Sequence, residues 1–201
     1  MSSPVLLCDI GNVLVSFDFS RAAARFAEIG PLGKDEVLRV LDPLKGPLES
    51  GALMGDSFVE QGMQMIQFPG TKDEFSDIWC GIFSRNEAME QTLAGLDPKL
   101  PKHLLSNTSD LHKEYLLRTF PVFGHFTDGV YSYLAKSMKP ERSIFETAIA
   151  QLNLDPAQTF YIDDLGPNIE TARELGFQAF HYRMDDHASL DSALQQWISG
   201  L

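Results

Sequence analysis

Residues 6–15 read LLCDIGNVLV. Leu6, Leu7 and Cys8 form a short apolar run, Asp9 stops it, and Gly11 with Asn12 opens a turn before a second apolar run at Val13, Leu14 and Val15. An apolar run cut off by a polar residue and a glycine reads as a buried strand ending in a loop. In parallel α/β sheets, ligands sit beyond the carboxyl ends of the strands. Asp9 stands at that point on the first strand. Taken alone, Asp-x-Gly is also the pattern of a capped turn, so the segments downstream decide its meaning.

Beyond residue 90 strand and helix signals alternate. His103 to Leu105 read as a strand ending at Ser106-Asn107-Thr108, and Ser109 can cap a helix over 110–119. Residues 126–131 contain a short strand. Lys139-Pro140 precedes a helix with Ile144, Phe145, Ala148, Ile149 and Leu152 at helical spacing. Thr159 to Ile162 form a strand ending in Asp163-Asp164, followed by a helix with Pro167 near its start and Gly176 past its end. A strand over 177–182 and a helix over 190–198 close the chain.

Residues 16–90 carry only helix signals. One helix covers Phe19 to Ile29, and a second covers Asp35 to Leu41 and stops at Asp42-Pro43. A third is capped by Asp56 or Ser57, and a fourth has capping-box spacing at Thr71 and Glu74. Met54, Phe58, Met63, Met65, Trp79 and Phe83 read as the core of this bundle. The expected fold is α/β: a Rossmann-like parallel sheet with helices on both faces, plus an inserted α-helical cap. The catalytic core is expected over 1–15 and 91–201, and the cap over 16–90.

The chain has 201 residues and a net charge of −12, from 16 Lys and Arg against 28 Asp and Glu. This acidity argues against nucleic-acid and membrane-surface partners, both of which need a basic face. An anionic substrate must then meet a local cation or a metal. Cys8 and Cys80 lie far apart without metal-ligand spacing, which points to a reduced, cytoplasmic protein. The first residues lack the basic region of a signal peptide, and no apolar run approaches the ~18 residues of a membrane span. A monomer or small homo-oligomer is expected.

Four polar clusters fall at strand ends or at the start of the next helix: Asp9, Ser106-Asn107, Lys139 and Asp163-Asp164. Together they supply what phosphoryl transfer needs. Three converging carboxylates repel one another unless a cation sits among them. Oxygen ligands without thiol or imidazole suit Mg²⁺. A carboxylate can attack phosphorus and form an aspartyl-phosphate. Lys139 would offset charge, and the Ser106 hydroxyl would hold phosphate oxygens.

With DIGNVLV, LLSNTSDLH, KPERSIFE and YIDDLGPNIETARELGF in place, the chain resembles the haloacid dehalogenase superfamily of hydrolases with a helical, C1-type cap. Its Asp-x-Gly-Asn-Val first motif is similar to that of the α-D-glucose-1-phosphate phosphatase group. The resemblance implies a Mg²⁺-dependent phosphatase acting on a small phosphorylated metabolite, with a sugar phosphate expected. It implies Asp9 as nucleophile and metal ligand, and Gly11 as a metal ligand through its carbonyl. It further implies Ser106, Asn107 and Lys139 at the phosphate, Lys139 also in catalysis, Asp164 as direct metal ligand, and Asp163 as its acidic neighbour acting through water. Asn168 falls where such loops often carry a further polar residue.

One position departs from most phosphatases of this superfamily, which carry an Asp acid-base two residues after the nucleophile. Here that residue is Gly11. Either the leaving group departs with the help of water, as an anomeric hydroxyl does more readily than an alkoxide, or a cap residue supplies the proton, or turnover is slow or absent. On the first account Gly11→Asp should favour alkyl phosphates over a sugar 1-phosphate. A metal-independent dehalogenase and a non-catalytic regulatory or binding protein on the same fold are the rival readings; Asp163-Asp164 weighs against the dehalogenase. His112 is expected to pack at the surface, and Arg21 and Arg25 to solvate the first cap helix.

Overall fold

The computed structural model describes residues 3–200; residues 1, 2 and 201, at the ends of the expected core, lie outside them. Val5–Cys8 form β1, and the chain turns through Gly11 and Asn12 into β2 (Val15–Phe17). Four helices follow: α1 (Phe19–Ile29), α2 (Lys34–Glu49), α3 (Gly55–Met65) and α4 (Lys72–Cys80). β3 (Phe83–Arg85) then returns antiparallel to β2, with Phe83 opposite Phe17. The remainder alternates: α5 (Glu87–Gly95), β4 (Lys102–Ser106), α6 (Asp110–Thr119), β5 (Asp128–Tyr131), α7 (Ser132–Ala135), α8 (Arg142–Gln151), β6 (Thr159–Asp163), α9 (Gly166–Glu174), β7 (Gln178–His181) and α10 (His187–Ser199).

Five strands form one parallel sheet in the order β5-β4-β1-β6-β7, so β1 is central. Successive side chains of a strand point to opposite faces. Leu6 and Cys8 accordingly pack in a cluster with residues of α5, α6 and α10, whereas Val5 and Leu7 pack in another with residues of α8 and α9. Burial on both faces explains why β1 reads as a continuous apolar run rather than an alternating one. The helices α1 to α4 enclose a separate cluster of Phe26, Leu41, Phe58, Phe75 and Trp79. The capping box of α4 is present, with Thr71 accepting from the Glu74 N–H and the Glu74 carboxylate accepting from the Thr71 N–H.

Three features differ from the sequence expectation. Residues 16–90 do contain strands, since β2 and β3 form a two-stranded ribbon where the helical layer leaves and rejoins the sheet. Three residues per strand are too few to show an alternating period. Second, α2 does not stop at Pro43 but runs through Pro43 and Pro47 to Glu49. Each interior proline costs about 3 kcal/mol. Both are exposed, so the carbonyls they leave unbonded face water, and burial of Val37, Leu41 and Leu48 at roughly 1.5–3 kcal/mol each offsets the loss. Third, Met54 and Met65 are exposed rather than part of the bundle core.

The helical layer is tied to the sheet at the C-terminal end of α2. The Ser132 hydroxyl donates to the Glu49 carbonyl at 2.6 Å, and the Lys136 ammonium donates to the Gly51 carbonyl at 2.7 Å. Gly51 has φ +71°, and a Cβ there would lie 2.1 Å from the Tyr133 carbonyl oxygen, so only glycine permits this approach. The Asp110 carboxylate accepts from the Gly55 N–H at 3.0 Å, satisfying an orphan donor at the start of α3.

Candidate active site

The residues singled out in the sequence meet at the carboxyl ends of β1, β4 and β6. The Asp9 N–H donates to the Ile162 carbonyl at 2.9 Å, which holds the first loop against β6. Cys8 pairs with Ile162, so Asp9 stands level with Asp163. Asp9, Asp163 and Asp164 each offer a carboxylate oxygen, and these atoms all lie within 4.8 Å of one another. Asp9 and Asp163 are buried and Asp164 is half-buried.

Lys139 joins the first two. Its ammonium lies 2.8 Å from Asp9 Oδ1 and 2.6 Å from Asp163 Oδ2, and donates to the Leu105 carbonyl at 2.9 Å. A lysine has three donors, and all three are engaged. Burial works against its charge, but Asp9 and Asp163 outweigh that and raise its pKa above the usual lysine value. Burial likewise pushes the Asp9 carboxyl up to about 7; Lys139 pulls it down and Asp163 pushes it further up. Asp164 is also raised by burial, against a hydrogen bond from Asn12.

Asp163 accepts from four donors. Lys139 and the Tyr161 hydroxyl reach Oδ2, while the Leu165 N–H at 2.9 Å and the Asn168 amide at 2.8 Å reach Oδ1. An ionised carboxylate has about four lone-pair sites, so these four donors, Lys139 among them, saturate Asp163. Asp164 accepts from Asn12 Nδ2 at 3.0 Å on one oxygen only. The turn after Asp9 uses the Ile10 and Val15 carbonyls as acceptors and leaves the Gly11 carbonyl out of its hydrogen bonds. The donor set fits a hard divalent cation: Asp9, Asp164 and the Gly11 carbonyl would hold it, and among the described residues the clustered side-chain ligands are carboxylates alone.

Ser106 ends β4 and is buried, with its hydroxyl only 3.4 Å from the Asn107 carbonyl. The Asn107 side chain brackets the Lys139 backbone, accepting from its N–H at 2.8 Å and donating to its carbonyl at 2.9 Å. Asn107 therefore positions the lysine, through contacts that a reading of it as a phosphate ligand does not include.

Three supporting residues escaped the sequence reading of the site: Asn12, Tyr161 and Ser132. Tyr161 had a signal, since it lies two residues before Asp163 on one strand and so shares its face. Asn12 adopts φ 51°, a left-handed turn conformation that Asn tolerates, and this aims its amide at Asp164.

Beside the carboxylates lies a cavity of about 60 Å³, lined by Gly11, Ser106, Phe17, Phe19, Glu49 and His112 among others. The Phe17 ring covers Gly11: a Cβ built there would lie 2.9 Å from Phe17 Cε1. His112 is not at the surface, as its sequence context implied, but buried. It stacks on Trp79 at 5.8 Å and 10° and meets Phe83 edge-on. Burial holds it neutral, with a pKa of about 4, and its Nε2 has no hydrogen-bond partner among the described residues. Sequence periodicity could not show this, because the rings enclosing His112 come from the distant α4 and β3. Arg21 ties α1 to the ribbon through the Ser84 hydroxyl at 2.8 Å, and Arg25 pairs with Glu28, so neither turns to the site. A larger cleft of about 470 Å³ between α5 and α10 is lined by none of Asp9, Asp163 and Asp164.

Residues 68–176, more than half of the chain, match the family model described as haloacid dehalogenase-like hydrolase. The chain is 28% identical over 185 residues to a D-ribitol-5-phosphate phosphatase of Bacteroides thetaiotaomicron, covering 87% of this chain and 89% of that one. Among solved structures it is similar to a HAD family enzyme of the same organism in complex with magnesium and inorganic phosphate. The TM-score is 0.79 at 27% identity, over 92% of this chain and 96% of that one. It is also similar to a HAD-like family hydrolase of Porphyromonas gingivalis, with a TM-score of 0.72 at 27% identity, over 89% and 90% of the two chains.

Proposed function

The chain belongs to the haloacid dehalogenase-like hydrolases, and on that premise we propose that it is a Mg²⁺-dependent phosphatase of a small sugar or sugar-alcohol phosphate. The observation that carries this reading is the convergence of Asp9, Asp163 and Asp164, with the Lys139 ammonium bridging the first two. Asp9 is the nucleophile and forms an aspartyl-phosphate. Lys139 holds one Asp9 oxygen, which restricts the carboxylate's rotation and opposes the rise in pKa that burial causes. Ser106 donates to a phosphate oxygen. Mg²⁺, when bound by Asp9, Asp164 and the Gly11 carbonyl, supplies charge neutralisation for the phosphoryl group.

The relatives' names support this substrate class: one is a phosphatase of a phosphorylated sugar alcohol, and another was solved with magnesium and phosphate. The first motif, DIGNV, supports kinship with the α-D-glucose-1-phosphate phosphatase group. In the same reading the core is 1–15 and 91–201, and the C1-type cap is 16–90. The β2–β3 ribbon, where both connections pass side by side, supports that division. The cap lies over the side of the site where the organic part of the substrate would sit, and His112 Nε2, neutral and without a partner among the described residues, is an acceptor available to a substrate hydroxyl. Among the described residues no helix is long and apolar enough to cross a membrane. Cys8 and Cys80 are buried and unbridged, which fits a reducing compartment, and the cytoplasm is part of the proposal.

Phosphate release from a panel of sugar, sugar-alcohol and nucleoside phosphates, with and without a chelator, tests this reading. Release is expected from one or more small sugar or polyol phosphates, falling to background when Mg²⁺ is removed. Release that survives chelation, or that is confined to nucleotides, contradicts it.

The Phe17 ring changes the expectation for Gly11→Asp. An aspartate enters only by displacing that ring, which is partly exposed and can swing aside, so the cost falls at or below the low end of the ~1–3 kcal/mol of core overpacking. Gly11→Asp alone is expected to lower phosphate release, and Gly11→Asp with Phe17→Ala to recover part of it. Equal activity of the single and double variants would show that the ring is not what excludes the side chain.

A further inference from the structure

From the geometry we propose that Glu49, on the last turn of α2, is the proton donor to the leaving group that Gly11 cannot be. This rests on the phosphatase reading and deepens it. Three observations converge on Glu49. It lines the small cavity that Gly11 and Ser106 also line, at the carboxyl end of the sheet where Asp9 stands. It is held there: its carbonyl accepts from Ser132, whose hydroxyl also accepts from the Thr108 N–H at 2.9 Å, two residues beyond Ser106. The neighbouring Gly51 is fixed by Lys136. Lastly, its carboxylate is half-buried and makes no hydrogen bond or ion pair with a described residue. Lys45, on the preceding turn, bonds to Asp42 at 3.1 Å and sits 4.2 Å over the Phe19 ring instead.

A half-buried carboxyl without a described partner holds its proton more readily than a solvated one. Burial raises the Glu49 pKa, and the charge of Lys45 only partly opposes this. Glu49 shares its cavity with Phe17, Phe19 and Phe83, and a carboxylic acid placed there suits an alkoxide, which leaves poorly without a proton. In the first step an Asp9 oxygen bonds to phosphorus while the bond from phosphorus to the substrate's bridging oxygen breaks. The Glu49 proton moves to that oxygen, so the alcohol departs neutral. In the second step water attacks the aspartyl-phosphate, its proton returns to the Glu49 carboxylate, and the Asp9–phosphorus bond breaks to release phosphate. One proton and one water balance the cycle. The donor thus comes from the helical layer, so a site lacking the second Asp is complete only with that layer in place.

The test compares two leaving groups. An alkyl phosphate needs a proton on departure, whereas p-nitrophenyl phosphate releases a stable phenolate. In Glu49→Gln, kcat/KM for the alkyl phosphate is expected to fall ~10²- to 10⁴-fold, and far less for p-nitrophenyl phosphate. The wild-type protein provides a second measurement that does not depend on the variant's folding. Across a series of aryl and alkyl phosphates its kcat/KM should depend only weakly on leaving-group pKa. A steep dependence in the wild type, or a Glu49→Gln loss equal for both substrates, overturns the assignment of Glu49. Absence of phosphate release from every substrate by the wild type overturns the phosphatase reading itself.

Discussion

Lys139→Met is expected to destabilise the protein by about 3–5 kcal/mol and to lower phosphate release by at least ~10²-fold. Methionine keeps most of the volume but none of the charge. Two buried carboxylates, now 2.8 and 2.6 Å from the ammonium, would lose their shared counter-ion, and the Leu105 carbonyl its donor. Unit charges ~4 Å apart interact by ~4 kcal/mol at an effective dielectric of ~20. Asp9 and Asp163 could not both stay ionised at that separation, and one would take up a proton. If that proton falls on Asp9, the nucleophile is lost as well. Urea unfolding in the presence of chelator reads the stability effect without rescue by a cation, and initial rates with saturating Mg²⁺ read the catalytic one. Wild-type turnover by this variant would show that the lysine is only a structural counter-ion. An unchanged unfolding midpoint would show that the ion pairs contribute little to the fold.

Asp9→Asn separates the two roles more sharply. An amide cannot displace at phosphorus, so phosphate release is expected to fall by ~10⁴-fold or more, as removal of a nucleophile does elsewhere. Stability should not fall in parallel. The carboxyl is buried, and its pKa of about 7 records how unfavourable its charge is there. Asparagine removes that charge and can still accept from Lys139 through its carbonyl oxygen. The expected result is an inactive protein whose thermal midpoint equals or exceeds that of the wild type, the signature of a functional group placed at a cost to stability. Incubation with Mg²⁺ and beryllium fluoride, a mimic of the phosphoryl group on a carboxylate, adds a direct readout. The wild type should capture the mimic and Asp9→Asn should not. Residual turnover above the level of contaminants would place the nucleophile elsewhere.

Much of the architecture was readable because its physical causes are local. The apolar run before Asp9 marks a strand buried on both faces. Ser109 caps α6 and Thr71 with Glu74 boxes α4 through contacts spanning three residues. The positions of Asp9, Ser106, Lys139 and Asp163-Asp164 at segment ends followed from the alternation of strand and helix. What failed was any feature whose cause lies outside its own segment. The prolines of α2 are tolerated because Leu48 is buried by other helices, and the three-residue strands of the ribbon exist because each pairs with the other.

From its sequence alone, the chain determined that it is a parallel α/β sheet with an inserted helical layer, and which polar groups stand at the strand ends. Hydrophobic periodicity and caps act over a few residues and need no tertiary partner to be recognised. Only the tertiary structure decided what those groups do to one another. Asp163 is saturated by four donors, Asn107 grips the lysine's backbone, Phe17 occupies the space above Gly11, and Glu49 arrives beside the site from a helix some forty residues along the chain. Such juxtapositions depend on packing between elements distant in the chain, and charge and hydrogen-bond saturation are properties of the assembled cluster, not of any residue within it.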